Sequence, residues 1–185
     1  MSSSLFKLTS ASLVFCLVFV SNISHAQEAS VKAYVSLSPA GDFVAQMKKV
    51  KGNATLEGKK YSAKNIVVDM SSLSTGLELR DEHAKNKYLD IKKYPEAVLV
   101  TATGENGTGE GKLKYRNQEK PIKGTYKVLS GGKAIQADFK IKLSDYDIKG
   151  INYKGIGVDD EVKIEVIIPV KEAATKPVAP PVKKK

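Results

Sequence analysis

Tryptophan is absent from this sequence of 185 residues, which has only one cysteine and two histidines. So few thiols exclude a disulfide scaffold, a Cys-rich zinc finger and an iron–sulfur protein. So few imidazoles leave no basis for a multi-histidine metal site, and we expect neither a metal nor another cofactor. Hydrophobic residues make up 42% of the chain, which is too many for a wholly disordered protein. The length suits one domain with short extensions.

Residues 1–26 are typical of a secretory signal peptide. An apolar run of eight residues at 13–20 precedes Ser24-His25-Ala26, which places small residues where a signal peptidase reads them. A transmembrane anchor is the alternative, but a span needs about 20 apolar residues. Lipoprotein processing at Cys16 is disfavoured because a bulky residue precedes it. We therefore expect export of a mature chain without cysteine.

Residues 171–185 are typical of a disordered, Lys/Pro-rich tail. They contain three prolines, five lysines and one glutamate, without a periodic apolar face. Proline removes backbone donors and favours extended polyproline geometry. The tail is either a solubilising end or a contact for an anionic membrane or cell-wall surface.

Residues 27–170 form the predicted domain, in which apolar and polar side chains alternate with the period of two that predicts β-strands. We count eight or nine strands, and the clearest has apolar residues at alternate positions from Ile135 to Leu143. One apolar and one polar face per strand predict an antiparallel sheet that is wetted on one side. A closed barrel is favoured over a sandwich because closure removes the sheet edges. The predicted turns are 39–41, 57–58, 106–107 and 131–132.

The outer face of the predicted sheet is rich in lysine, which raises the question of nucleic-acid binding. Aromatic side chains are not interleaved with these lysines, so we expect no nucleic-acid partner.

Residues 76–90 interrupt the strand pattern with helix-forming residues. Thr75 and Glu78 have the spacing of a capping box, which predicts the start of a helix. A single short helix within a series of strands is expected to cover one end of a barrel.

The stretch 73–95 resembles the YceI-like family of bacterial periplasmic proteins. The family's motif is Thr-Gly, then Arg-Asp-x-His, then an aromatic residue with Leu or Phe and Asp, then Lys-Tyr-Pro. Weaker similarities extend the resemblance over about residues 31–170. Two departures are the lack of histidine at 31–50 and Asp147, which stands where the family usually has glycine. The motif is present here as Thr75-Gly76, Arg80-Asp81 with His83, Tyr88-Leu89-Asp90 and Lys93-Tyr94-Pro95.

The resemblance implies an all-β fold, a lipocalin-like antiparallel barrel of about eight strands with one short helix over an end. It also implies an exported, periplasmic, non-enzymatic protein that holds a polyisoprenoid or fatty-acid-like lipid for carriage or sequestration. Each buried methylene of such a ligand contributes about 0.8 kcal/mol, so affinity needs no dedicated polar site. The alternative is a fully packed cell-envelope interaction protein without a lipid ligand.

Inward apolar positions of the predicted strands are the candidate lipid-binding residues. Small inward residues such as Ala33, Ala45 and Ala54 leave space that a packed core would otherwise fill. The candidates that would line this space are Phe43, Met47, Val68, Met70, Leu99, Tyr126, Ala137, Phe139 and Ile141.

Arg80, Asp81 and His83 are candidates for contact with a ligand head group or for organising the barrel mouth. A purely structural role is the alternative, with Arg80 and Asp81 as an ion pair. Catalysis would need a serine oriented by His83, and no nucleophile-elbow pattern surrounds the nearby serines. A lone mature histidine among scattered carboxylates also lacks the spacing of metal ligands.

The signal-peptide interpretation predicts a mature chain that begins at Gln27. N-terminal sequencing of the exported protein is the measurement. A chain that still begins at Met1, or one that is acylated at Cys16, would contradict the interpretation.

Overall fold

A computed structural model describes residues 28–39, 41–153 and 155–172. The predicted signal peptide and most of the predicted tail lie outside the described residues. Twelve strands form one sheet. They are β1 (Ser30–Ser38), β2 (Asp42–Met47), β3 (Val50–Lys51), β4 (Ala54–Glu57), β5 (Lys60–Asp69), β6 (Glu96–Glu105), β7 (Thr108–Tyr115), β8 (Gln118–Leu129), β9 (Ala134–Lys142), β10 (Asn152–Tyr153), β11 (Ile156–Val158) and β12 (Glu161–Glu172).

Strand β12 closes the sheet because it is hydrogen-bonded along both edges. One edge pairs with β9 in an antiparallel register of nine residue pairs. The other edge pairs antiparallel with β1 over the first part of β12 and parallel with β4 over its last three residues. Seven strands close the barrel in the order β4-β5-β6-β7-β8-β9-β12. β1 pairs with β12 and with β2 outside this circuit. The prediction of an antiparallel barrel of about eight strands is confirmed.

The alternation along β9 and β12 separates an apolar interior from a polar exterior. On the outer surface, Gln136 Nε2 donates to Glu165 Oε2 at 3.1 Å, and Asp138 pairs with Lys163 at 3.3 Å. Opposite these polar residues, alternate apolar side chains of both strands belong to the core or pack against it. Val162, Ile164, Val166 and Ile168 of β12 are all buried.

Three irregularities lie side by side and bend the sheet at one corner. Gly52 has a φ of 114°, and Asn65 opposite it on β5 has a φ of 51°. On β6, the register with β7 shifts between Leu99 and Thr101, which marks a bulge at Val100. A β-bulge switches the faces of the residues that follow it and increases the local twist. The barrel therefore curves sharply here, and the inward positions of β5 and β6 change partway along each strand.

The upper end of the barrel carries a short helix, as predicted. Helix α1 (Glu78–Glu82) continues into a π-helical turn (His83–Tyr88), and we call residues 78–88 the cap. Beyond the cap, the Tyr115 hydroxyl donates to the Leu89 carbonyl at 3.0 Å, and Arg116 Nη1 donates to the Tyr88 carbonyl at 3.2 Å. These bonds fix the cap to the β7–β8 turn. Of the helices in the described residues, none is long and apolar enough to cross a membrane.

The predicted capping box is wrong. The helix begins after Leu77, whose side chain makes no capping hydrogen bond. Thr75 lies two residues before the N-cap, and its oxygen accepts from Arg80 Nε while its N–H and hydroxyl donate to Asp81 Oδ1. Thr75 therefore bonds to Asp81, about one helical turn beyond the Glu78 that the sequence pattern indicated.

The C-terminal boundary of the barrel lies slightly beyond the predicted one. Lys171 and Glu172, which the sequence pattern assigns to the tail, continue β12 and pair with Thr55 and Leu56 of β4. The rest of the predicted tail, 173–185, lies outside the described residues.

Candidate functional site

The barrel encloses a cavity of about 870 Å³. Cavities that hold small molecules usually measure about 300–1,000 Å³, so this one has room for a large ligand. Its walls are the inward side chains of the strands, and the cap lies across its upper end. The interior is therefore hollow, and the alternative of a fully packed barrel does not describe this structure.

A row of small residues creates much of this space. Ala54, Ala63 and Ala102 lie opposite one another on β4, β5 and β6, and all three line the cavity. Protein interiors normally reach the packing density of organic crystals, which needs larger side chains at such positions. The methyl groups on these three strands take up less of the interior than larger side chains would.

All nine candidate lipid-binding residues lie around the cavity. Their contact with a ligand stays a prediction. The cavity is also lined by Tyr61, Ala63, Leu113 and Tyr115, which are not among the nine candidates. Leu113 and Tyr115 alternate with lysines, so the period of two could have placed them on the inner face. Ala63 lies before the irregularity at Asn65, which interrupts the pattern along β5.

The Arg80 side chain is part of the cavity wall at the mouth. Its guanidinium carbon lies 4.2 Å from the centre of the Phe43 ring, a geometry that attracts a cation to the face of the ring. Arg80 Nε donates to Thr75 Oγ1 and Nη2 donates to the Thr75 carbonyl, both at 2.8 Å. These contacts hold a positive charge at the end of a cavity whose wall is mostly apolar.

Asp81 does not form the predicted ion pair with Arg80. None of the ion pairs in the described part of the chain includes Arg80 or Asp81. Both side chains bond to Thr75 instead, so the threonine links them. Asp81 is not part of the cavity wall, whereas Arg80 and His83 are. The structure therefore assigns Asp81 to the support of the cap rather than to the cavity surface.

The Asp81 carboxyl has two opposing influences on its pKa. Partial burial raises the pKa, while hydrogen bonds from the Thr75 hydroxyl and N–H lower it. The hydrogen bonds prevail, and the pKa lies below its ordinary value of 3.8. The ionised form is thus the one that holds the residues before the helix in place.

Two leucines of the mouth are exposed to solvent. Leu77 is 59% exposed and Leu79 is 57% exposed, yet both also line the upper part of the cavity. Their side chains therefore lie at the boundary between solvent and the cavity. Within the described ranges, no group of three or more histidine, cysteine or acidic side chains could hold a metal ion.

Comparison with known proteins agrees with this architecture. A family model described as "YceI-like domain" matches residues 21–169. The chain belongs to the YceI-like family. The resemblance of the motif at 73–95 is thereby confirmed. YceI-like relatives include the UPF0312 proteins of Pseudomonas putida strains GB-1 and W619, each 32% identical over 133 residues, which is 62% of this chain and 68% of theirs.

Solved structures share the fold of this YceI-like chain. BcnA of Burkholderia cenocepacia superposes with a TM-score of 0.61 at 19% identity and covers 77% of this chain and 96% of its own. A polyisoprenoid binding domain from Saccharophagus degradans, implicated in plant cell wall breakdown, has a TM-score of 0.56 at 15% identity. That match covers 78% of this chain and 94% of the other.

The lowered pKa of Asp81 predicts a pH-dependent contribution to stability. A carboxyl whose pKa is lower in the folded state stabilises the fold above its unfolded-state pKa. That stabilisation is lost as the pH falls through the folded-state value. We expect Asp81→Asn to unfold more easily than the wild type at neutral pH, and the difference to vanish in acid.

The measurement is the free energy of unfolding in urea across a pH series. Glu82→Gln removes an exposed carboxylate from the same helix and serves as the control, with a small difference at every pH. Equal stability of Asp81→Asn and the wild type at neutral pH would show that the Thr75–Asp81 contact contributes nothing.

Proposed function

We propose that this protein is a non-enzymatic carrier that holds a long apolar molecule, a polyisoprenoid or a fatty-acid-like lipid, inside its barrel. The single observation that carries the proposal is the cavity of about 870 Å³ with apolar walls. Membership in the YceI-like family supports it, as does the shared fold with a domain that binds polyisoprenoid.

The energetics favour an apolar ligand over a polar one. Burial contributes about 0.8 kcal/mol per methylene group, so ten methylenes offer roughly 8 kcal/mol before the costs of ordering the ligand. A polar molecule would lose its hydration without gaining partners, because most of the wall consists of hydrocarbon side chains.

The mouth suits the polar end of such a ligand. Arg80 and His83 line the upper cavity, and Arg80 is a fixed donor of hydrogen bonds. A head group that accepts hydrogen bonds would lie beside Arg80, with its apolar chain directed into the barrel. In this arrangement Asp81 is a positioning residue that acts through Thr75.

Hydrolysis is the competing function, and the local serines argue against it. The Ser72 hydroxyl donates to the Asp69 carbonyl at 2.7 Å, and Ser74 Oγ accepts from the Gly76 N–H at 3.4 Å. Both hydroxyls thus bond within the turn that precedes the cap, and Ser74 also bonds to the Asp81 carboxylate. A serine nucleophile is instead activated by a histidine base that a third group orients.

A bulky side chain at Ala137 tests the proposal. Ala137 lines the cavity between Tyr126 on β8 and Val166 on β12, so a phenyl ring there would occupy ligand space. We expect Ala137→Phe to weaken the binding of a long-chain fatty acid at least about tenfold, which corresponds to two methylenes that are no longer buried. The unfolding free energy should change by less than about 0.5 kcal/mol, because the ring enters empty space.

Lys127→Phe, which adds the same ring to an exposed position of β8, is the matched control and should leave binding unchanged. If Ala137→Phe instead costs about 1–3 kcal/mol of stability and the wild type binds no fatty acid, the site is packed and the carrier proposal is wrong.

We further propose a periplasmic location and a surface contact through the Lys-rich segment 173–185. β12 ends at the lower end of the barrel, opposite the cap. Each lysine near an anionic surface contributes about 1 kcal/mol, and salt screens this attraction. Deletion of 173–185 should weaken salt-sensitive binding to phosphatidylglycerol vesicles without lowering the melting temperature. Unchanged vesicle binding would refute the surface contact.

A further inference from the structure

Two tyrosine rings lie at the lower end of the cavity, opposite the cap. Tyr61 follows the β4–β5 turn, and the Tyr126 N–H donates to the Gly107 carbonyl in the β6–β7 turn at 2.9 Å. Both turns lie at the end of the barrel away from Tyr115, which bonds to the backbone beyond the cap. Both rings also line the cavity.

The two rings pack against each other edge to face. Their centres lie 5.3 Å apart and their planes meet at 67°, which is a favourable geometry for an aromatic pair. We call this pair the floor. Tyr61 precedes Ala63 by two residues on β5, so the floor lies nearer the lower end of the cavity than the row of small residues.

A glycine holds the floor in position. A methyl group at Gly104 would lie 2.7 Å from Tyr126 Cε1 and 3.0 Å from Cδ1, so the Tyr126 ring rests directly on the β6 backbone. Gly104 also pairs with Tyr61 in the β5–β6 register. The Tyr126 ring is therefore seated against the β6 residue that pairs with Tyr61, and the lack of a side chain at Gly104 makes room for it.

We propose that the Tyr61–Tyr126 floor limits the length of the apolar chain that the cavity accepts. This inference rests on the proposed function, in which the chain enters at the mouth and extends toward the lower end. Each additional methylene gains free energy until the chain end meets the rings. Further methylenes must then remain outside or force the chain to bend.

A homologous series of saturated primary alcohols tests the floor, with binding measured by displacement of Nile red from the full mature chain. For the wild type, affinity should rise about fourfold per added methylene and then level off at a definite length. Tyr126→Ala should move this break point to longer chains. Gly104→Ala should move it to shorter chains, because the added methyl group pushes the Tyr126 ring into the cavity.

Tyr126→Phe keeps the ring and is the matched control, with an unchanged break point. Tyr61→Ala opens the floor from its other side, and it replaces Tyr126→Ala if that variant is unfolded by circular dichroism. A break point that stays in place in the folded floor variants would overturn the inference while leaving the carrier proposal intact. No binding of any alcohol to the wild type would overturn the carrier proposal itself, and the inference with it.

Discussion

Strand β12 makes hydrogen bonds along both edges, and the interior of this protein exists because of that closure. Its antiparallel register with β9 and its parallel register with β4 join the first and last parts of the sheet. An open sheet with the same alternation would have to bury its apolar face against a second layer. A closed sheet encloses that face instead, and the size of the enclosed space then depends on the side chains that point inward.

The inward side chains do not fill this space, so a ligand that fills it would also stabilise the folded barrel. An unfilled apolar cavity forfeits dispersion contacts that its lining atoms would otherwise make. A ligand that binds only the folded state restores those contacts and stabilises the fold by mass action. The row of Ala54, Ala63 and Ala102 is therefore a local loss of packing that an apolar ligand can recover. The hydrogen bonds of Arg80 and Asp81 to Thr75 keep the entrance in place at the other end.

Much of the fold follows from alternation and turn residues, because strands without bulges keep one face inward over their whole length. β9 and β12 are such strands. Prediction fails where the backbone departs from this regularity, as at Asn65 and the bulge at Val100, which change the inward face partway along β5 and β6. The β7–β8 turn was missed because Arg116 and Asn117 adopt φ values of 47° and 64° without a glycine. The pairing of Arg80 and Asp81 could not be predicted, because several acceptors compete for the N–H and hydroxyl of Thr75 and sequence spacing does not rank them.

Native mass spectrometry of the protein purified from the cell that makes it tests the central claim most directly. A barrel that carries an apolar ligand will show a folded species heavier than the bare chain. Denaturation and solvent extraction will remove the extra mass as a lipid-soluble molecule. A folded species with the mass of the bare chain, which also takes up no apolar molecule when one is supplied, would contradict the account.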